Sequence, residues 1–92
     1  MTTYIMFGKF AVGAVKEISA DRTKKSVEII ERNGGKVKSL YALLGETDTL
    51  AIVDFPSLEQ AMKASVELTR LLGISFTTSP AVTIEEFDKL MK

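Results

Sequence analysis

Residues 36–55 read KVKSLYALLGETDTLAIVDF, and this stretch decides the fold. Lys36 to Leu44 is rich in branched and aromatic side chains and reads as a strand. In regular alternation Val37, Tyr41 and Leu43 share a face with Ser39, and Leu40, Ala42 and Leu44 share the other with Lys38. Gly45-Glu46-Thr47-Asp48 is a connection of the length a hairpin uses. Thr49 to Phe55 follows with Asp54 as its one interruption, the pattern of a strand buried on both sides.

Upstream, Thr3 to Phe10 (TYIMFGKF) reads as another strand. Tyr4, Met6 and Phe10 take one face; Ile5 and Phe7 take the other, with Lys9. Gly8 in mid-strand predicts a bulge or a close approach by another group. Ala11 to Ile18 reads as a loop with a short helical turn. A helix is expected from Asp21 to Asn33, with Thr23, Val27 and Ile30 inward and Arg22, Lys24, Lys25, Glu28 and Arg32 in water. Glu28 and Arg32 stand four apart in the order that favours an ion pair. Asn33-Gly34-Gly35 ends the helix, since these residues accept left-handed backbone.

Downstream, Pro56-Ser57 opens a second helix, with Ser57 and Gln60 at capping-box spacing. Leu58, Ala61, Met62, Val66, Leu68, Leu71 and Leu72 recur at helical spacing, and Gly73 stops the run. Ile74 to Val82 (ISFTTSPAV) is the last strand, with Pro80 limiting its ladder. Thr83 and Glu86 form a second capping box ahead of a short helix bearing Ile84, Phe87, Leu90 and Met91.

Strand, helix, strand, strand, helix, strand is the split βαβ order of an α+β, ferredoxin-like fold with a four-stranded antiparallel sheet. Its helices cover one face. Leu50, Ile52 and Val53 cannot all point at that layer. At about 25 cal/mol per Å2, an apolar face left in water forgoes several kcal/mol. A second copy is therefore expected to cover it, giving a homodimer or higher even oligomer of the dimeric α/β-barrel kind. The 92 residues make one domain. A chain this short is marginal alone, and without cysteine or histidine it is expected to hold no disulfide, metal or cofactor.

Twelve basic residues balance twelve acidic ones, so no nucleic-acid partner is expected. The N-terminus lacks the pattern of a signal peptide, and no apolar run approaches the ~20 residues of a membrane helix. A cytoplasmic chain with no membrane partner is the expectation.

The stretch NGGKVKSLYALLGETDTLAIVDFPSLEQAMKA, followed by GISFTTSPAVTIEEFDKL, resembles the GYD-domain proteins, and the likeness runs from Tyr4 to Leu90. Those are small ferredoxin-like chains without an established activity, related in shape to the dimeric α/β-barrel group. Their namesake Gly-x-Tyr-Asp turn corresponds to Gly45-Glu46-Thr47-Asp48, with Thr47 where the family has tyrosine. If that tyrosine touches a ligand, this chain either lacks the contact or supplies Tyr41 instead.

Five residues are candidates for a ligand site: Lys9, Tyr41, Asp48, Asp54 and Thr77. Lys9 is a cation on an apolar strand, which implies either a pairing partner such as Asp54 or an amine that reaches water. Asp48 either caps its turn or stands at the mouth of a barrel. Tyr41, Ser75, Thr77 and Ser79 place hydroxyls on one side of the sheet if the strands align, as in a pocket that orients an apolar ligand. The leading expectation is a homo-oligomeric module holding a small, largely apolar molecule between sheet and partner. The alternatives are a cofactor-free enzyme resembling monooxygenases or isomerases of the dimeric α/β-barrel group, and an assembly protein. No catalytic residue stands out, because proton transfer without histidine falls to Lys9, Tyr41, Asp48 and Asp54.

Overall fold

The computed structural model describes residues 1–13 and 19–92. The expected loop with a helical turn over Ala11–Ile18 therefore lies mostly outside the described residues. The order is β1 (Thr2–Phe10), α1 (Ala20–Arg32), β2 (Lys36–Ala42), β3 (Thr49–Phe55), α2 (Leu58–Leu72), β4 (Ile74–Ala81) and α3 (Ile84–Leu90). The strands form one four-stranded sheet in the order β2-β3-β1-β4. Every pairing is antiparallel, so the expected ferredoxin-like architecture is the one observed.

The helices begin and end for local reasons. Ser19 caps α1 by accepting from the Arg22 amide at 3.2 Å, and Ser57 caps α2 by accepting from the Gln60 amide at 3.4 Å. The expected capping box of α2 is rearranged: the Ser57 hydroxyl itself donates to Gln60 Oε1 at 3.1 Å. Asn33 ends α1 and is buried, its side-chain amide donating to the Ile29 carbonyl at 2.9 Å. Gly34 then turns the chain at φ 82°, a left-handed value that side chains rarely take.

The core lies between the helices and one sheet face. Met6, Val53, Phe55 and Leu68 are fully buried, and Tyr4 meets Phe55 edge-on with ring centroids 5.9 Å apart. The inward faces of both helices are narrower than expected. Thr23 of α1 is exposed, and Ile29 joins Ile30 inside. On α2 the small Ala61 and Ala64 pack with Leu68 and Leu72, whereas Leu58, Met62, Val66 and Leu71 remain exposed. Arg32 pairs with Glu67 on α2, tying the two helices together.

One expectation about faces is corrected. The register of β2 against β3 shifts between Val37 and Ser39, so Lys38 is an extra residue on an edge strand. Val37 and Leu40 consequently share the helix-facing side, opposite Val53 and Ala51, while Tyr41 pairs with Leu50 on the other side. Gly8 shows no such shift. Its role is close approach, because a Cβ there would lie 2.4 Å from Thr49 Oγ1 and 2.7 Å from the Phe76 ring.

Candidate functional site

Two places on the molecule are candidates for contact with something else. The first is a cavity of about 430 Å3 between α1 and the sheet. It forms because the first half of α1 presents Arg22, Thr23 and Ser26 above the small side chains Ala42 and Ala51. No large side chain of the described residues fills the gap. Among the described residues, Phe10, Ile30, Leu40, Leu68, Ile74 and Phe76 supply most of its apolar wall.

Most of its polar groups are already engaged. The Asp48 carboxylate accepts from the Phe10 amide at 2.8 Å, and the Asp48 amide donates to the Gly8 carbonyl at 2.8 Å. Asp48 thus extends the β1–β3 ladder one step past its last pair, Gly8 with Thr49. The Leu43 amide donates to the Asp48 carbonyl at 2.8 Å, closing the hairpin, and Gly45 turns at φ 145°. Arg22 is half-buried, and its guanidinium donates to the Leu72 carbonyl at the end of α2. Sequence reading put Arg22 in water. The missed signal is its spacing, since Arg22, Ser26 and Ile30 stand four apart along one face of the helix.

The second place is the sheet face away from the helices. Across it run Tyr41, Leu50, Phe7 and Thr77, with Ser39, Ile52, Ile5 and Ser79 as the neighbouring row. Ile5, Phe7, Leu50 and Ile52 are half-buried by their neighbours alone. The expected alignment of Tyr41, Thr77 and Ser79 on one face is thus observed, with the apolar side chains between them. Ser75 lies opposite Lys9 on the same face. Lys9 is exposed, as the reading with its amine in water requires.

Asp54 belongs to this face but not to Lys9. It lies opposite Thr3, six residues and about 20 Å along β1 from Lys9 at the strand's usual rise. The Thr3 hydroxyl donates to Asp54 Oδ1 at 2.6 Å, and the Lys38 ammonium stands 3.3 Å from Oδ2. The Thr3 hydrogen bond, aided by Lys38, holds the Asp54 carboxyl below the usual carboxylate range against partial desolvation. The bulge therefore has a use, since it delivers Lys38 to Asp54. Of the five candidates, Asp48 borders the cavity, Lys9, Asp54 and Thr77 belong to the open face, and Tyr41 belongs to that face at the sheet edge while also bordering the cavity. Among the described residues no group of acidic side chains is gathered to hold a metal ion. No helix among them is long and apolar enough to cross a membrane.

The GYD-domain family model matches residues 4–91. This chain is a GYD-domain protein. Its turn Gly45-Glu46-Thr47-Asp48 is the structured hairpin just described, and Asp48 serves the ladder there. No curated protein matches the GYD chain. Among solved structures it is similar to the leucine response regulatory protein LrpA of Mycobacterium tuberculosis, with a TM-score of 0.59 at 10% identity. That match covers 89% of this chain and 51% of the other. A second structure, that of a glutamate-to-alanine mutant, superposes with a TM-score of 0.64 at 13% identity, covering 89% of this chain and 50% of that one. The GYD domain thus spans about half the length of these structures, and the likeness is one of fold.

Proposed function

We propose that this GYD domain is a self-associating binding module whose cavity under α1 holds a small, largely apolar molecule. The observation behind the proposal is the cavity itself, whose volume of about 430 Å3 falls in the range of small-molecule sites. Its wall is apolar, and Asp48 and Arg22 mark its polar rim. Because both are engaged with the backbone, the site is better suited to holding a molecule than to moving protons. Sequence reading seats the ligand between sheet and partner; the cavity lies on the opposite face, so the proposal seats it beneath α1.

Self-association is supported by a separate observation, the half-exposed row of Ile5, Phe7, Leu50 and Ile52 on the open sheet face. A second copy would bury that row.

Titration with 8-anilinonaphthalene-1-sulfonate, a fluorescent apolar probe, tests the cavity. Ala51→Leu and Ser26→Leu add bulk to its floor and roof. Saturable binding to the wild type that both variants lose, while keeping the wild-type fold by circular dichroism, supports the site. Binding that survives in both stably folded variants refutes it.

A further inference from the structure

Among the described residues little covers the C-terminal helix. α3 buries none of its residues, and Ile84, Phe87, Leu90 and Met91 are 74%, 47%, 70% and 65% exposed. Among the described residues no helix or strand packs extensively along it. The radius of gyration is 13.7 Å, against about 12 Å for a compact chain of this length, as expected when a terminal helix stands off the body. Yet the helix is well made. Thr83 caps it by accepting from the Glu86 amide at 3.1 Å, and Glu85 and Glu86 favour its first turn.

At 100° per residue the four apolar side chains form one continuous stripe, and Glu86 and Asp88 stand on its two flanks. The open sheet face carries the complementary pattern. Its apolar centre is Ile5, Phe7, Leu50 and Ile52, and exposed lysines rim it: Lys9 at one end, with Lys36 and Lys38 at the other. An apolar stripe edged by acids matches an apolar surface edged by bases. The linker from β4 is Val82-Thr83, and Thr83 is held as the cap, so the match is made most simply between two molecules.

We propose that α3 is an exchanged arm: it docks on a second copy of this chain, with its apolar stripe against the edge of that copy's open sheet face and Glu86 and Asp88 beside its lysines. Exchange is reciprocal in a two-fold dimer, so each chain supplies one arm and receives one. The inference rests on the self-association reading above.

Charge exchange tests it. One chain carries Glu86→Lys with Asp88→Lys, which makes the arm basic. The other carries Lys9→Glu with Lys36→Glu, which makes the rim acidic and leaves Lys38 to Asp54. All four positions are exposed, and circular dichroism checks that each variant folds. Sedimentation equilibrium of the full chains should show each variant alone weakened in self-association. Mixed, they should form a heterodimer, since both arms then meet rims of opposite charge. Phe87→Ser should independently weaken wild-type assembly on the order of thirtyfold, the effect of losing a central aromatic anchor. Variants that assemble as the wild type does, with no preference for the mixed pair, overturn the arm while leaving self-association standing. A wild type that stays monomeric at every concentration overturns both.

Discussion

Replacing Gly8 with alanine probes the close approach on which the sheet and the cavity wall both depend. A Cβ at Gly8 would sit 2.4 Å from Thr49 Oγ1, 2.7 Å from Phe76 Cε1 and 3.2 Å from Ile74 Cγ2. Such distances cannot persist, so something moves. The closest atoms end side chains, so the Thr49 hydroxyl and the Phe76 ring shift before the backbone does. The cost falls in the ~1–3 kcal/mol of an overpacked core. Alanine returns ~0.5–1 kcal/mol, because glycine is the more flexible residue in the unfolded chain. The net loss is centred on about 1 kcal/mol with an upper end of about 2.5 kcal/mol, and its central value lowers Tm by about 4–8 °C for a domain of this size. The assay is thermal unfolding by circular dichroism at one fixed protein concentration, because self-association makes Tm concentration-dependent. Gly13→Ala is the control: among the described residues nothing lies within 4 Å of a Cβ there, and Tm should hold or rise slightly. A Gly8→Ala chain that melts no lower than the wild type would refute the close-approach argument.

Asp48→Ala removes the acceptor of the Phe10 amide and should cost about 1–3 kcal/mol in urea unfolding, with Asp48→Asn losing less because it keeps an acceptor oxygen. Equal stability of both variants and wild type would mean that the ladder extension is idle. Leu68→Ala, at a fully buried position that also borders the cavity, should cost ~2–5 kcal/mol by the same assay. Asp54 gives a pH prediction. Its folded pKa is lowered, so its contribution to stability is complete above the unfolded value of about 3.9 and is lost as pH falls through the folded one. Thr3→Val removes the largest cause of that lowering. The variant should therefore be less stable than wild type at pH 7, and the gap should narrow in melts taken below about pH 4. A gap that stays constant with pH would contradict the assignment.

The sequence carried the architecture because each element announced itself by composition and punctuation. Ser57 and Thr83 mark helix starts, Gly73 marks a stop, and TLAIVDF is apolar on both faces as a central strand must be. Face assignments were legible only where alternation was unbroken. On β1 and β4 it was, so Phe7 and Thr77 were placed correctly. On β2 the bulge at Lys38 put Val37 on the face opposite Ser39 and Tyr41, where unbroken alternation had joined them, and a single extra residue leaves no compositional trace. The cavity was hidden for a different reason. It is a deficit of volume, arising where the polar first half of α1 meets Ala42 and Ala51, and no motif encodes a deficit. Asp48 was legible as a turn residue, but its reach to Phe10 joins residues 38 apart and needs the fold. The exposure of α3 is likewise a tertiary fact. Its apolar stripe was readable, and the lack of cover for it among the described residues was not.

A native mass spectrum of the untagged protein, taken directly from its expression host, tests the central claim of a self-associating module with an occupied cavity. The account predicts an even assembly in which each chain retains the mass of one small molecule, and loses it in Ala51→Leu. A monomer without added mass would contradict both halves of the claim.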